Sequence, residues 1–163
     1  MKAPICSFDA KSGVLCTKCE AKLREGIISQ DDVDASIKLT RLAERNSDVN
    51  KLTLLRATRV NSDLVLTLRS ADVSMLRSNA NLRDKIQSEF GQDTWFIESE
   101  ASDRRFIENI LYPTTVSSVN QFWLPDGNKL TRVIVSQKAQ IDIEKAQKIA
   151  KAVRGIELLI EFQ

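Results

Sequence analysis

Histidine is absent from this chain of 163 residues, so imidazole can act neither as a general acid or base nor as a metal ligand. No apolar run approaches the roughly 20 residues that a membrane-spanning helix needs, and the first residues lack the apolar stretch of a signal peptide. Glycine-rich nucleotide loops and nucleophile elbows are missing as well. We therefore expect a cytoplasmic protein that is not an enzyme, takes no small-molecule substrate and has no membrane contact.

A surplus of one charge sign is also missing. Lys and Arg number 24 and Asp and Glu number 22, which gives a net charge of +2. Proteins that bind nucleic-acid phosphates strongly usually have a clear basic surplus. Charge alone therefore gives little support for nucleic-acid binding.

Cysteine is scarce, and all three cysteines lie within the first nineteen residues. Cys16 and Cys19 have the two-residue spacing of a metal knuckle, and Cys6 and Asp9 repeat that spacing with a carboxylate in place of the second thiol. Zinc accepts both sulfur and oxygen ligands. The pattern therefore predicts a structural zinc site formed by Cys6, Asp9, Cys16 and Cys19 in a segment at residues 1–28.

Other interpretations of the cysteine segment stay open. Asp9 could be an ordinary loop residue, with three unliganded thiols remaining from a decayed site. A catalytic zinc has less support because no general base accompanies the cysteines. A redox Cys-x-x-Cys pair would be followed by a thioredoxin-like sequence, and that sequence is missing.

Residues 29–101 have the pattern of an α+β domain. The predicted elements are, in order, a helix at 29–46, strands at 52–60 and 63–69, two short helices, and a third strand at 95–98. Ser29 is a typical N-cap, and the acidic Asp32 at the third helical position favours this helix start. Leu64, Leu66 and Leu68 alternate with other residues, which predicts a strand with two unlike faces.

Residues 102–163 predict a shortened version of the same plan. The predicted elements are a helix between Ser102 and Pro113, strands at 115–124 and 129–136, a helix at 142–154, and a final strand at 156–162. Pro125, Asp126 and Gly127 are typical of the tight turn between the two strands.

The order helix-strand-strand-helix-helix-strand resembles the bacterial-type (type II) KH domain. The motif Arg-Phe-Ile-Glu-Asn-Ile-Leu-Tyr-Pro at 105–113 resembles the KH pair of the transcription factor NusA. The motif Val-Asn-Gln-Phe-Trp-Leu-Pro-Asp-Gly at 119–127, with the cysteine motif that ends at Cys19, is similar to the short archaeal NusA-like proteins. The resemblance covers nearly all of the chain. It implies an α+β fold with two KH-like units, at 29–101 and 102–163, the second shortened, preceded by a zinc-knuckle-like segment.

KH domains hold about four nucleotides beside a GxxG loop, whose glycines let the backbone come close to phosphate. In the first unit the corresponding loop is 76–79. Leu76 replaces the first glycine, and Asn79, a residue type that tolerates left-handed geometry, replaces the second. The resemblance places candidate RNA contacts at Arg77, Ser78, Asn79 and Asn81.

In the second unit, residues 141–144 take the place of the loop, and their carboxylates would repel phosphate. The helix that follows carries basic residues at every third position, namely Lys145, Lys148, Lys151 and Arg154. These residues could follow a nucleic-acid backbone, or they could form an ordinary solvated helix face. Trp123 could stack on a base or pack within the fold, and packing is favoured.

Two functions are compatible with these residues and with the resemblance. The resemblance implies a non-enzymatic RNA-binding factor that acts in transcription elongation or termination through weak contacts with single-stranded RNA. The alternative is a structural adaptor bound to RNA polymerase or the ribosome, with both degenerate KH units used for protein contacts. The missing glycines and the near-neutral charge favour the adaptor, whereas the domain order and the basic helix favour RNA binding.

Overall fold

A computed structural model describes residues 1–136 and 142–163 of the chain. The chain forms two compact units, Met1–Ser99 and Glu100–Gln163. The cysteine-rich segment at 1–28 thus belongs to the same unit as the first sheet, and the boundary lies two residues before the predicted one. Both units combine helices with a three-stranded sheet, so the fold is α+β.

The first unit contains five helices of the α type among its described elements, together with a short 3-10 helix and one sheet. Its elements are α1 (Ser7–Ser12), α2 (Thr17–Arg24), α3 (Gln30–Arg45), the 3-10 helix (Val49–Lys51), β1 (Leu54–Val60), β2 (Asp63–Leu68), α4 (Ser70–Arg77), α5 (Ala80–Phe90) and β3 (Thr94–Glu98). The predicted order helix-strand-strand-helix-helix-strand is therefore present from α3 to β3.

Helix α3 begins at a complete capping box. The Ser29 hydroxyl accepts a hydrogen bond from the Asp32 N–H, and the Asp32 carboxylate accepts one from the Ser29 N–H at 2.9 Å. The second carboxylate oxygen of Asp32 accepts the Ala57 N–H of β1 at 2.6 Å. Since Asp32 is buried, one side chain both starts the helix and holds it on the sheet.

Strand β2 is the centre of the first sheet. It pairs antiparallel with β1 and parallel with β3, so that Leu66 lies between Ala57 and Phe96. Leu64, Leu66 and Leu68 pack in the core formed with α3, α4 and α5. On the other face Val65 is also buried, whereas Thr67 is only partly buried, so the two faces differ less than the alternation predicts.

The cysteine-rich segment packs against α3. A small core joins Ile5, Ala10 and Cys19 to Val33 of α3. Lys2 also pairs with Thr53 beside β1, and its backbone C=O accepts the Leu54 N–H at 2.9 Å. The first residues of the chain are therefore tied to both the helix and the sheet of this unit.

The second unit repeats the sheet of the first. Its elements are α6 (Asp103–Leu111), β4 (Val116–Trp123), β5 (Lys129–Val135), α7 (Ile143–Arg154) and β6 (Leu158–Phe162). The middle strand β5 pairs antiparallel with β4 and parallel with β6, as β2 does with its neighbours. Phe106 and Ile110 of α6 and Ile149 of α7 are buried in this unit.

No helix in the described part of the chain combines the length and the apolar character needed to cross a membrane.

Candidate metal centre

The four predicted zinc ligands come together in the structure. One ligand atom from each of Cys6, Asp9, Cys16 and Cys19 lies within 4.8 Å of all the others. A small ion with metal–ligand bonds of about 2.0–2.3 Å holds its ligands roughly 3.8 Å apart, so a slight contraction of this cluster would complete a coordination sphere. The prediction that these side chains converge is confirmed.

The ligand spacing follows from two helix starts. Cys6 is the N-cap of α1 and Cys16 is the N-cap of α2, while Asp9 and Cys19 are the third residues of those helices. An N-cap side chain and the third side chain of a helix point to the same side, which is also the basis of the capping box. Neither N-cap thiol caps its own helix, so both sulfurs face the cluster.

Asp9 is the most informative ligand. Its side chain is buried, and its Oδ2 accepts the Cys16 N–H at 2.8 Å. This backbone hydrogen bond is the largest of several contributions, with smaller ones from the neighbouring thiols, that lower the pKa of Asp9 from 3.8 to about 2, so the carboxylate is ionised near neutral pH. Its Oδ1 is buried and has no hydrogen-bond partner. A buried carboxylate oxygen without a partner beside three thiols is an orphaned acceptor that a cation would satisfy.

Cys19 is the buried thiol of the cluster. Its Sγ accepts a weak hydrogen bond from the Cys6 N–H at 3.5 Å. Burial raises the pKa of Cys19 to about 12, because a thiolate is poorly solvated there. A bound divalent ion reverses this effect, since a coordinating thiol loses its proton outright.

The donor set fits a metal ion. Three sulfurs and one carboxylate oxygen, brought together by two helix starts and one backbone hydrogen bond, offer four ligands to a single position. Sulfur-rich sites of four ligands are structural rather than catalytic when no ligand position is left for water. The site would then fasten the starts of α1 and α2 to each other.

The candidate RNA contacts of the first unit lie in a tight turn between α4 and α5. Leu76 and Arg77 are the last residues of α4, and Leu76 is buried. The Ser78 hydroxyl donates to the Met75 carbonyl at 2.9 Å. Asn79 caps α5 with a φ of −131°, so it does not use the left-handed conformation that a second glycine would allow. Most polar groups of this turn are thus used within the chain.

Arg83 of α5 contacts this turn, and the sequence patterns do not single it out. Its Nη1 donates to the carbonyls of Leu76 and Arg77 at 2.5 and 2.7 Å. Both carbonyls lie at the end of α4, and the Leu76 carbonyl also accepts the Asn79 N–H at 3.3 Å. A side chain on the next helix donates hydrogen bonds to both carbonyls, and no sequence pattern indicates such a contact. Asn81 lies beside this turn, in the first turn of α5, and is exposed.

The predicted basic stripe of the second unit lies on α7, and three of its members form ion pairs. Lys148 pairs with Glu144 at 3.0 Å, Lys151 pairs with Glu157 at 3.1 Å, and Arg154 pairs with Asp103 at 3.2 Å. Lys145 also has a partner. Arg154 lies over the ring of the buried Phe106, 4.8 Å from its centroid, and so stabilises the packing of α7 on α6.

Residues 137–141 lie outside the described residues, so the part of the predicted loop at Ile141 is not placed. Asp142 is the N-cap of α7, and its Oδ1 accepts the Lys145 N–H at 3.1 Å. Trp123, on the hairpin of the second unit, is 73% exposed. The prediction that Trp123 packs within the fold is therefore wrong.

Comparison with protein-family models gave no match, and no curated protein matches the chain. Among solved structures, the chain is similar to the one described as the crystal structure of APE1850, with 11% sequence identity and a TM-score of 0.49. That match covers 77% of this chain and 95% of the other. No family follows from a match at this level.

Proposed function

We propose that the chain is a non-enzymatic factor that binds single-stranded RNA weakly and acts in transcription elongation or termination, as its resemblance to archaeal NusA-like proteins implies. The observation that carries the proposal is the repeated sheet. Both units place a parallel third strand beside an antiparallel hairpin and add helices. The first unit also has the order helix-strand-strand-helix-helix-strand on which the resemblance to a type II KH domain rests.

In this proposal zinc is the metal of the cysteine cluster, and its role is structural. A site of three thiolates and one carboxylate suits zinc among the common metals. When bound, the ion supplies four bonds that hold α1 and α2 in place. The core around Ile5, Ala10 and Cys19 is small, so the bound ion would add to the stability of this segment.

The RNA contacts fall on α7 rather than on the α4–α5 turn. The turn lacks glycines, and Ser78, Asn79 and Arg83 use their polar groups internally. The lysines of α7 are different, because their ion pairs are exposed. Lys148 and its partner Glu144 are 53% and 78% exposed, and pairs of this kind contribute only about 0–1 kcal/mol. A phosphate could therefore replace the carboxylate at little cost.

A salt titration with single-stranded RNA tests this proposal. Lys148→Gln combined with Lys151→Gln removes two charges without placing new carboxylates beside Glu144 or Glu157. We expect the slope of log affinity against log salt to fall by about 1.4, since each contact to a single strand contributes about 0.7.

The matched control is Lys51→Gln with Lys85→Gln, which removes the same charge from the first unit. If the control and the α7 variant bind alike, α7 is not the contact surface. If the wild-type chain binds no RNA at low salt, the RNA proposal fails.

A structural adaptor of RNA polymerase or the ribosome is the second candidate. It is favoured by the hairpin tip of the second unit, where Phe122, Trp123 and Leu124 are 44%, 73% and 38% exposed. Exposed large apolar residues of this kind are typical anchors of protein interfaces. Copurification from native extract with wild-type chain and with Trp123→Ala tests this candidate. Loss of a polymerase or ribosomal partner on substitution supports the adaptor, and equal recovery removes it.

A further inference from the structure

We propose that the metal-held segment is itself an RNA contact. We use the name knuckle face for its exposed surface, which is made by Phe8, Lys11, Val14 and Lys18 with Arg41 beside it. The inference rests on the proposed function, because it places a second contact for the same class of ligand, single-stranded RNA.

The spacing of the metal ligands places Phe8 and Lys18 on the surface. Each is the second residue of its helix and lies in the sequence between the N-cap ligand and the ligand at the third position. A side chain there points about 100° away from its neighbours in an α-helix, and so away from the ion. Phe8 is 76% exposed and Lys18 is also exposed. Because the Cys16 N–H binds Asp9, the starts of α1 and α2 are in direct contact.

Three further residues complete the knuckle face. Lys11 lies three residues after Phe8 on α1, which places the two side chains next to each other. Gly13 ends α1 in the left-handed conformation, and a Cβ built on it would lie 3.5 Å from Nη2 of Arg41. The Arg41 guanidinium therefore lies beside the loop that presents Val14, whose side chain is 71% exposed.

The cations of the knuckle face have no ion-pair partner within the described part of the chain, although the ligand set beneath them, three thiolates and a carboxylate around a divalent ion, carries a net charge of about −2. Lys11, Lys18 and Arg41 make no ion pair there, whereas the basic residues of α7 are all paired. Glu20 is the nearest acid in the sequence of α2. It lies two positions after Lys18, about 200° around the helix, and thus on the far side.

These charges favour RNA over an apolar protein surface. An apolar surface would have to desolvate three cations without partners, at a high cost. Phosphates neutralise such cations and release counterions. An exposed aromatic ring flanked by cations is also the combination that holds single strands, because bases stack on the ring.

Substitutions at Phe8 test the stacking contact. The zinc-loaded full chain is titrated into a fluorescent single-stranded oligo-uridine of about 12 nucleotides, and binding is measured by anisotropy. We expect Phe8→Leu to weaken binding by at least about fivefold and Phe8→Trp to retain it. Since Phe8 is exposed, both variants should keep the zinc content and thermal stability of the wild type.

Charge variants give a second, independent readout. Lys11→Gln with Lys18→Gln should lower the salt slope by about 1.4, while the control pair Lys51→Gln with Lys85→Gln leaves it unchanged. If the wild type binds the oligonucleotide but the Phe8 and lysine variants bind equally well, the knuckle face is not an RNA contact, and a protein ligand becomes the explanation for its exposed ring. If the wild type does not bind at all, this inference and the proposed function fail together.

Discussion

Replacing Asp32 with alanine should destabilise the first unit strongly. This side chain accepts the Ser29 N–H in the capping box and the Ala57 N–H of β1. Helix α3, which it anchors, also carries Val33, the residue against which the cysteine-rich segment packs. The substitution therefore tests whether the contact between α3 and the sheet also supports the packing of the cysteine-rich segment on α3.

The expected loss can be estimated from these contacts. A buried N–H left without a partner costs about 1–3 kcal/mol, and loss of the capping contact costs about 1 kcal/mol. Alanine recovers about 0.5 kcal/mol through its better helix propensity. The free energy of unfolding should therefore fall by about 1.5–3.5 kcal/mol, which lowers Tm by roughly 6–28 °C in a domain of about 100 residues.

Urea unfolding followed by tryptophan fluorescence measures this loss. Trp95 is partly buried, and its Nε1 donates to Asp63 at 3.1 Å, so its emission reports on the first unit. Trp123 is already 73% exposed and should change little on unfolding. Asp34→Ala, an exposed substitution on the same helix, is the matched control. If Asp32→Ala costs no more than the control, the assigned role of the side chain is refuted.

Three further predictions concern the site residues. The depressed pKa of Asp9, about 2 against 3.8, means that the ionised side chain stabilises the metal-free fold above pH 3.8 and that this contribution is lost as pH falls toward 2. The urea stabilities of wild type and Asp9→Asn should converge over that interval, and a constant difference would contradict the assignment. Arg154→Ala should cost about 1–2 kcal/mol and Lys151→Ala less than about 0.5 kcal/mol, as measured by circular dichroism. Equal losses would mean that Arg154 is not a packing residue. Restoring glycines with Leu76→Gly and Asn79→Gly should cost about 3–5 kcal/mol in urea unfolding, because Leu76 is buried in the core. A stable variant with increased RNA affinity would show that the turn is a working loop.

Local signals made most of the fold predictable. The start of α3 could be identified because Ser29 and Asp32 form a capping box within four residues. Gly155 ends α7 in the left-handed conformation, as expected for a C-cap. The parallel pairing of β2 with β3 was not predictable, since a strand pattern gives the strand but not its partner. The burial of Val65 was not predictable for the same reason, because a strand pattern does not show what covers the second face of a sheet.

The metal cluster was predictable because its ligands lie at fixed positions of two helix starts. Contacts that depend on long side chains were not. Arg83 reaches back to the end of α4, and Lys151 pairs with Glu157 beyond its own helix. Neither contact follows from a helix or strand repeat in the sequence. The basic stripe on α7 was therefore visible in the sequence, but its neutralisation by acids was not.

Elemental analysis of the purified chain, combined with thiol titration, tests the central claim most directly. We expect roughly one zinc ion per chain, with thiols that react with a thiol reagent only after chelation, and loss of the metal in Cys16→Ser with Cys19→Ser. A zinc content near zero, with all three cysteines reacting freely in the untreated protein, would contradict the assignment of a metal centre.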